Sequence, residues 1–440
     1  MTGWSAFCGY GSMGRKYIIL LIIALTTACK GREKQQQQEV DSAAARQPAV
    51  VDSTASGQAV KLPPPFATRS VKNHPKVAGW PPGKTPVAPK GFVVEKFADG
   101  LKSPRWLYVL PNGDVLAALA DKSKSPNMIV LFHLTEGGAA PRKDIFLSHL
   151  NQPFGMLVLG EHFYVANTDG VWRYPYRNGQ SKIAGPGESI LPLPEAGYNN
   201  HWTRNIISKA DGSKLYVTVG SGSNNAEHGI EYEKLRANIL ECNPDGSGMR
   251  VYASGLRNPI GLAWAPGATM LWAAVNERDE LGDDLVPDYL THVEDSGFYG
   301  WPYAYFGQNV DPRIPADKQK PELVKRSIVP DVALGAHTAS IGLAFYTGKS
   351  FPARYQGGAF VGQHGSWNRS VPAGYKVVFV PFRNGKPSGP PEEFLTGFMA
   401  DPTKPEVYGR PVGVAVLPDG SLLVADDAGG VIWRVRADNK

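Results

Sequence analysis

Residues 410–435 read RPVGVAVLPDGSLLVADDAGGVIWRV. An apolar run, a Pro-Asp-Gly turn and a second apolar run predict two antiparallel strands joined by a hairpin, because Asp and Gly tolerate the positive φ that such turns need. The same order of residues returns as SPRWLYVLPNGDVLAAL at 103–119, QPFGMLVLGEHFYVANTDGVWRYPY at 152–176 and TRNIISKADGSKLYVTVGS at 203–221. NPIGLAWAPGATMLWAAVN at 258–276 and SIGLAFYTGKSFPARYQGGAFVGQHGS at 340–366 complete a set of six copies. The first four begin about fifty residues apart, room for four short strands each, and the last two gaps must hold insertions. These copies predict an all-β fold, a six-bladed β-propeller with an axial ligand site. The C-terminal GVIWRV is expected to close the ring with a strand from the start of the domain. A sandwich would not explain six such copies.

The composition agrees. Forty-nine Gly and thirty-seven Pro among 440 residues punctuate many short elements, and the aromatics suit pleated surfaces. The net charge of +6 is modest and its basic residues are scattered, which argues against a nucleic-acid partner.

From Met13 the chain reads MGRKYIILLIIALTTACKG, two cations and a short apolar run ending in small residues before Cys29. This is the layout of a secretory signal, and it resembles a bacterial lipoprotein signal, with Cys29 as the lipidated residue. Residues 1–29 are therefore expected to be the signal, with residues 1–12 preceding a better-placed Met. The expected location is periplasmic, tethered to a membrane through Cys29. Residues 30–88 are polar, small and Pro-rich, the composition of a disordered tether. The propeller is expected over 89–440. Only Cys242 lies within it, so no disulfide can staple it.

In a propeller, the residues ahead of each inner strand converge on one mouth of the axial channel, where binding sites assemble from distant loops. Ahead of the repeats stand NNHWTRN with His201 and Arg204, GLRNP with Arg257 and Asn258, and GAHTAS with His337 and Thr338. GQHGSWNR supplies His364 and Arg369, and VYGRP supplies Tyr408 and Arg410. Arginines with aromatic neighbours suit a planar polyanion, since guanidinium groups pair with carboxylates in a fork and stack on rings. NERDELGDDLVPD, residues 276–288, adds six carboxylates around a Gly, hard oxygen donors that suit Ca²⁺ without the spacing of an EF-hand.

Together GLRNPIGLAW, NERDELGDDLVPDYL, GFYGWPY, NNHWTRN and GRPVGVAVLPDGSLLVADD resemble the soluble quinoprotein sugar dehydrogenases, most closely the sorbosone dehydrogenase-like branch, over roughly residues 90–437. The resemblance implies a six-bladed propeller that holds pyrroloquinoline quinone (PQQ) and Ca²⁺ and oxidises a sugar or sugar aldehyde. It implies His201 as general base, and Arg257 with Asn258 as contacts of the quinone. Arg410 would hold a cofactor carboxylate, with His364, Arg369, Arg204 and Thr338 completing the cofactor site. It further implies Ca²⁺ on the backbone carbonyls of Arg278 and Asp279, with Asp283 and Asp284 ordering their surroundings. His364 stands where glucose-oxidising members have Lys, and Tyr408 where they have a second Arg. No Cys-x-x-Cys-His haem motif is present, so electrons would pass to an external acceptor, a quinone or cytochrome. A Ca²⁺-dependent lactonase and a non-catalytic binding propeller are the alternatives.

Overall fold

The computed structural model describes residues 49–52, 59–122, 127–134, 142–267 and 269–438. The expected signal and Cys29 lie outside them. Six antiparallel sheets of four blade strands follow one another along the chain, as the repeats predict. Blade I comprises Pro104–Val109, Val115–Leu119, Met128–His133 and Arg142–Leu147, and blade II Met156–Leu159, His162–Asn167, Gly170–Pro175 and Glu188–Pro192. Blade III runs through Ile206–Ser208, Leu215–Val219, Asn238–Cys242 and Arg250–Ser254. Blade IV is Pro259–Trp264, Leu271–Val275, Pro287–Val293 and Val332–Ala336, and blade V Ala344–Phe345, Ala359–Gln363, Lys376–Val380 and Glu392–Leu395. Blade VI takes Pro411–Val416, Leu422–Asp426 and Val431–Ala437 from the C-terminus and borrows Phe92–Ala98 as its outer strand, pairing Val435 with Val94. Ring closure thus takes the form the sequence predicts.

The second strand of a blade lies between neighbouring blades and is covered on both faces, which is why Val115–Leu119, Leu215–Val219 and Leu271–Val275 are continuous apolar runs with every residue buried. Inner strands crowd around the axis. A Cβ on Gly342 of blade V would stand 2.0 Å from the Val412 carbonyl oxygen of blade VI, so glycine there is a requirement of ring packing. The longer gap in blade IV holds an insertion between its third and fourth strands. The insertion carries the hairpin Ala304–Tyr305 with Asn309–Val310 and the short helix Pro321–Lys325.

Residues 60–88 depart from the expected tether. Leu62 is buried in a cluster with Leu281 and Leu285, the Phe66 N–H donates to the Leu281 carbonyl, and Lys76–Val77 pair in parallel with Glu406–Val407. Trp80 packs edge-on against Trp433 and Phe398 and donates its indole N–H to Asp426 at 2.7 Å. This segment is a strap across loops of blades IV, V and VI. Its few large apolar residues, Leu62, Phe66 and Trp80, outweigh its polar, Pro-rich composition because each finds a partner on the propeller.

Candidate active site

In an antiparallel pair the start of one strand lies beside the end of the next. Pro259 faces Val275 in blade IV, Pro411 faces Asp426 in blade VI and Pro104 faces Leu119 in blade I. Loops ahead of the inner strands and loops after the second strands therefore share one mouth. The first set brings His201, Arg257, Asn258, Arg410 and Arg105; the second brings Asp279, His364 and Asp427.

His201 is positioned by its Nδ1, which lies 2.8 Å from the Ser221 carbonyl and 3.0 Å from Ser221 Oγ. That hydroxyl spends its proton on the Ser223 carbonyl at 2.6 Å, so Nδ1 faces only acceptors and must carry the ring proton. Nε2 is left with the lone pair. Burial, followed by the positive charge of Arg257, holds the imidazole pKa well below its ordinary value against the opposing Ser221 carbonyl. The ring is therefore an unprotonated base at neutral pH. Gly220 makes the room: a Cβ there would come within 2.3 Å of Asn258 Oδ1 and 2.7 Å of His201 Cβ, which places these two side chains in one small space.

Arg257 is buried, and its guanidinium is occupied. It donates to the Asn224 carbonyl and Oδ1 at 3.1 and 2.9 Å, to the Glu277 carbonyl at 2.6 Å and to Asp279 at 3.4 Å. It fixes the start of the acidic loop, and its charge acts on His201 from behind. Asp279 also binds His337, whose Nδ1 lies 3.1 Å from the carboxylate while Nε2 lies 2.8 Å from the Gly282 carbonyl. Two acceptors on one imidazole require both nitrogens to donate, hence an imidazolium. Burial opposes that charge, but the hydrogen bond and charge of Asp279 outweigh it and raise the pKa.

A second cluster joins the expected His364 and Arg410 to Arg105 and Asp427, which the sequence did not single out. Arg105 donates to Asp427 at 2.6 Å and lies over Trp202, 4.9 Å from the ring centroid. The same carboxylate takes His364 Nε2 at 2.9 Å. Arg410 reaches the His364 and Gly365 carbonyls at 2.9 and 3.0 Å. Burial first, then the charge of Arg410, lowers the His364 pKa to about 4 despite Asp427. Arg105 stands in its repeat much as Arg257 and Arg410 stand in theirs, just at or before an inner strand, and that equivalence is the signal that could have found it. Asp427, the second acid of VADD, has no comparable signal.

Other expected residues lie elsewhere. Arg204 is fully buried and clamps the His201, Thr203 and Pro194 carbonyls, holding the loop rather than facing a ligand. Thr338 gives its hydroxyl to Asp288 at 2.9 Å. Together with Arg369 it lines a separate cavity of about 740 Å³ between blades IV and V. Asp283 accepts from the backbone N–H and hydroxyl of Ser370, and its own N–H binds Thr68 Oγ1 at 2.7 Å; Asp284 pairs with Arg369 at 2.7 Å. Both acids tie the loop to its neighbours. The Arg278 side chain is buried between Glu277 and Asp311, at 2.9 and 3.0 Å.

A planar polyanionic quinone fits the mouth. Asn258 Oδ1 and Arg105 Nε are buried with no hydrogen-bond partner in the protein, on residues from two sides of the mouth. Buried polar atoms are seldom left so, and a polar ligand would satisfy them. Calcium fits less well. Of the two carbonyls expected to bind it, those of Arg278 and Asp279, the Asp279 carbonyl already accepts from Arg313 Nη1 at 2.7 Å and Asn224 Nδ2 at 3.1 Å. Among the described residues no three His, Cys, Asp or Glu side chains gather as a metal site.

The sequence pattern of the Glucose / Sorbosone dehydrogenase family matches residues 167–366, and a TrAA12-like pattern matches residues 316–438. An uncharacterized protein of Borreliella burgdorferi is 31% identical over 307 residues, covering 65% of this chain and 76% of that protein. The chain belongs to the glucose / sorbosone dehydrogenase family. The Escherichia coli aldose sugar dehydrogenase YliI is 27% identical over 198 residues, 41% of this chain and 50% of the relative. Among solved structures, the holo form of the PQQ domain of pyranose dehydrogenase from Coprinopsis cinerea superimposes with a TM-score of 0.68 at 20% identity, covering 82% of this chain and 98% of that one. At that identity the likeness speaks for the fold.

Proposed function

We propose that this chain oxidises a sugar or sugar aldehyde with PQQ as the resident oxidant and passes the electrons to an external acceptor. One observation carries the reading: His201 is held as a neutral base with Nε2 bare, in the same small space as Asn258 Oδ1, at a mouth lined with arginines. His201 Nε2 takes the proton of the substrate hydroxyl, that of a hydrated aldehyde included. PQQ, when bound, supplies the carbon that accepts the hydride. Arg105 would hold it through its unpaired N–H, Asn258 Oδ1 would accept from a ring N–H of the cofactor or from the substrate hydroxyl, and Arg410 adds positive charge that stabilises electron density arriving on it. Burial and the charge of Arg257 keep the base deprotonated, and Ser221 orients it. Export through the N-terminal signal, with lipidation at Cys29, belongs to the same proposal and rests on the sequence.

The test is PQQ reconstitution of wild type and His201→Gln, with dye reduction by a panel of aldoses and sugar aldehydes. The variant is expected to lose on the order of 10² to 10⁴ in kcat, the usual contribution of a general base. PQQ affinity, read by tryptophan fluorescence, should change little. A His201→Gln protein with near-normal turnover would assign the proton transfer to another residue.

A further inference from the structure

The Asp279 carbonyl faces two donors, one of them a cation, and a carbonyl oxygen has two lone pairs to offer. Arg313 is not a loose surface side chain. Its Nε and Nη2 form a fork on Asp311 Oδ1 and Oδ2 at 3.0 and 2.8 Å, and its backbone N–H binds the same carboxylate at 3.0 Å. Asp311 is fully buried and is itself fixed by Arg278 Nη1 at 3.0 Å. The guanidinium thus arrives at the acidic loop on a rigid mount from the insertion of blade IV. On its outer side it lines a cleft of about 590 Å³ with Asn225, Glu227 and Tyr303, so the mount reaches from the core to a surface open to ligands.

Of the six acids of the loop, Glu280 is exposed to solvent, Asp288 is buried on Thr338 and Ser340, and the other four have partners within the protein. Glu277 has Arg278, Asp279 has Arg257 and His337, Asp283 has Ser370 and Asp284 has Arg369. Calcium asks for six to eight oxygens. Here it would have to displace a forked arginine from the shared carbonyl or sit against its charge.

We propose that Arg313 supplies from within the chain the positive charge at the Asp279 carbonyl, so that quinone binding in this protein is independent of a divalent cation. The inference rests on the quinone reading above. It concerns a residue 34 positions from Asp279 in the chain.

The experiment titrates PQQ into the purified full chain, in excess chelator and in millimolar Ca²⁺, following tryptophan fluorescence and the melting temperature. Wild type is expected to bind with affinities within about threefold in the two conditions, since mass action adds nothing from an ion that does not bind. Arg313→Ala should weaken binding in chelator about tenfold or more, the size of one charge-assisted interaction. Arg313→Lys, which keeps the charge without the fork, should keep part of the affinity and guards against a folding defect in the first variant. Wild-type binding that needs Ca²⁺ by tenfold or more would overturn the proposal and leave the quinone reading standing. So would Arg313→Ala and Arg313→Lys variants that both bind like wild type in chelator. Absence of PQQ binding in both conditions would overturn the quinone reading, and the inference with it.

Discussion

Arg257, Asp279 and His337, from blade IV and the loop that follows it, are the same chemical set as Arg105, Asp427 and His364, from blades I, VI and V, yet the two imidazoles end in opposite protonation states. His337 has an acceptor at each nitrogen and one arginine at its carboxylate, so the proton stays. His364 presents a single nitrogen to a carboxylate that Arg105 already holds at 2.6 Å, with Arg410 bonded to its own carbonyl, so a second positive charge has no support. Residue identity does not set the charge of such a triad. Burial, a further cation beside the ring, and the acceptor on the far side of the ring do.

The strap ties the two clusters together, so its removal is the largest perturbation. Leu62 packs on the acidic-loop side and Trp80 on the blade VI side, beside Asp426. A chain beginning at Val60 should unfold like the full one. A chain beginning at Lys90 should lose on the order of 4 kcal/mol, comparable to truncating one large buried aromatic together with a buried leucine that partly relaxes. Urea midpoints measure this, and equal midpoints for both truncations would show that residues 60–89 carry no stability. Trp80→Ala and Leu62→Ala then divide the loss between the two sides.

Next in size is the contrast between the carboxylates. Asp427→Asn leaves Arg105, 12% exposed, beside a neutral amide within the field of Arg410, and should cost about 3 kcal/mol, the low end for removal of one partner from a buried pair. Asp279→Asn leaves Arg257 with the Asn224 and Glu277 oxygens and removes the charge that holds the His337 imidazolium, which can then give up its proton; it should cost about 2 kcal/mol, one charge-assisted hydrogen bond. Equal losses in urea would break the distinction between a carboxylate that is the one hydrogen-bonded acid of its arginine and one whose arginine is already satisfied and whose imidazole can give up its charge.

Much of this arrangement was legible in the residues. Turn groups between apolar runs gave the blades, and the position of GLRNP and VYGRP ahead of inner strands placed Arg257, Asn258 and Arg410 at the mouth. What could not be read was which side chain meets which. Arg204 occupies the same kind of position as Arg257, yet it turns inward onto three carbonyls, because the loop at 194–203 folds back and needs a donor. Asp283 and Asp284 look like metal donors by spacing, but Thr68, Ser370 and Arg369 reach them from segments remote in sequence. Arg313 and Asp311 sit in an insertion with no counterpart in the repeats. Local pattern fixes where a loop emerges. Partners across blades fix what its polar groups are free to do.

The smallest expected effect is the most specific to the comparison, and it is a pair of slopes. His364 titrates near 4 in the folded protein against an ordinary 6.5, so between those values the unfolded chain binds more protons than the folded one. Its contribution to stability is present above about 6.5 and is lost on acidification toward about 4, at up to ~1.4 kcal/mol per pH unit for one group. His337 is raised, so its contribution is present below its ordinary value and is lost as pH rises through the folded value. His364→Gln should therefore flatten the acid limb of a melting-temperature profile and leave the alkaline limb alone. His337→Gln should flatten the alkaline limb and leave the acid limb alone, whatever each substitution costs at pH 7. Should both variants flatten the same limb, the two imidazoles share a protonation state, and the difference assigned to their neighbours is wrong.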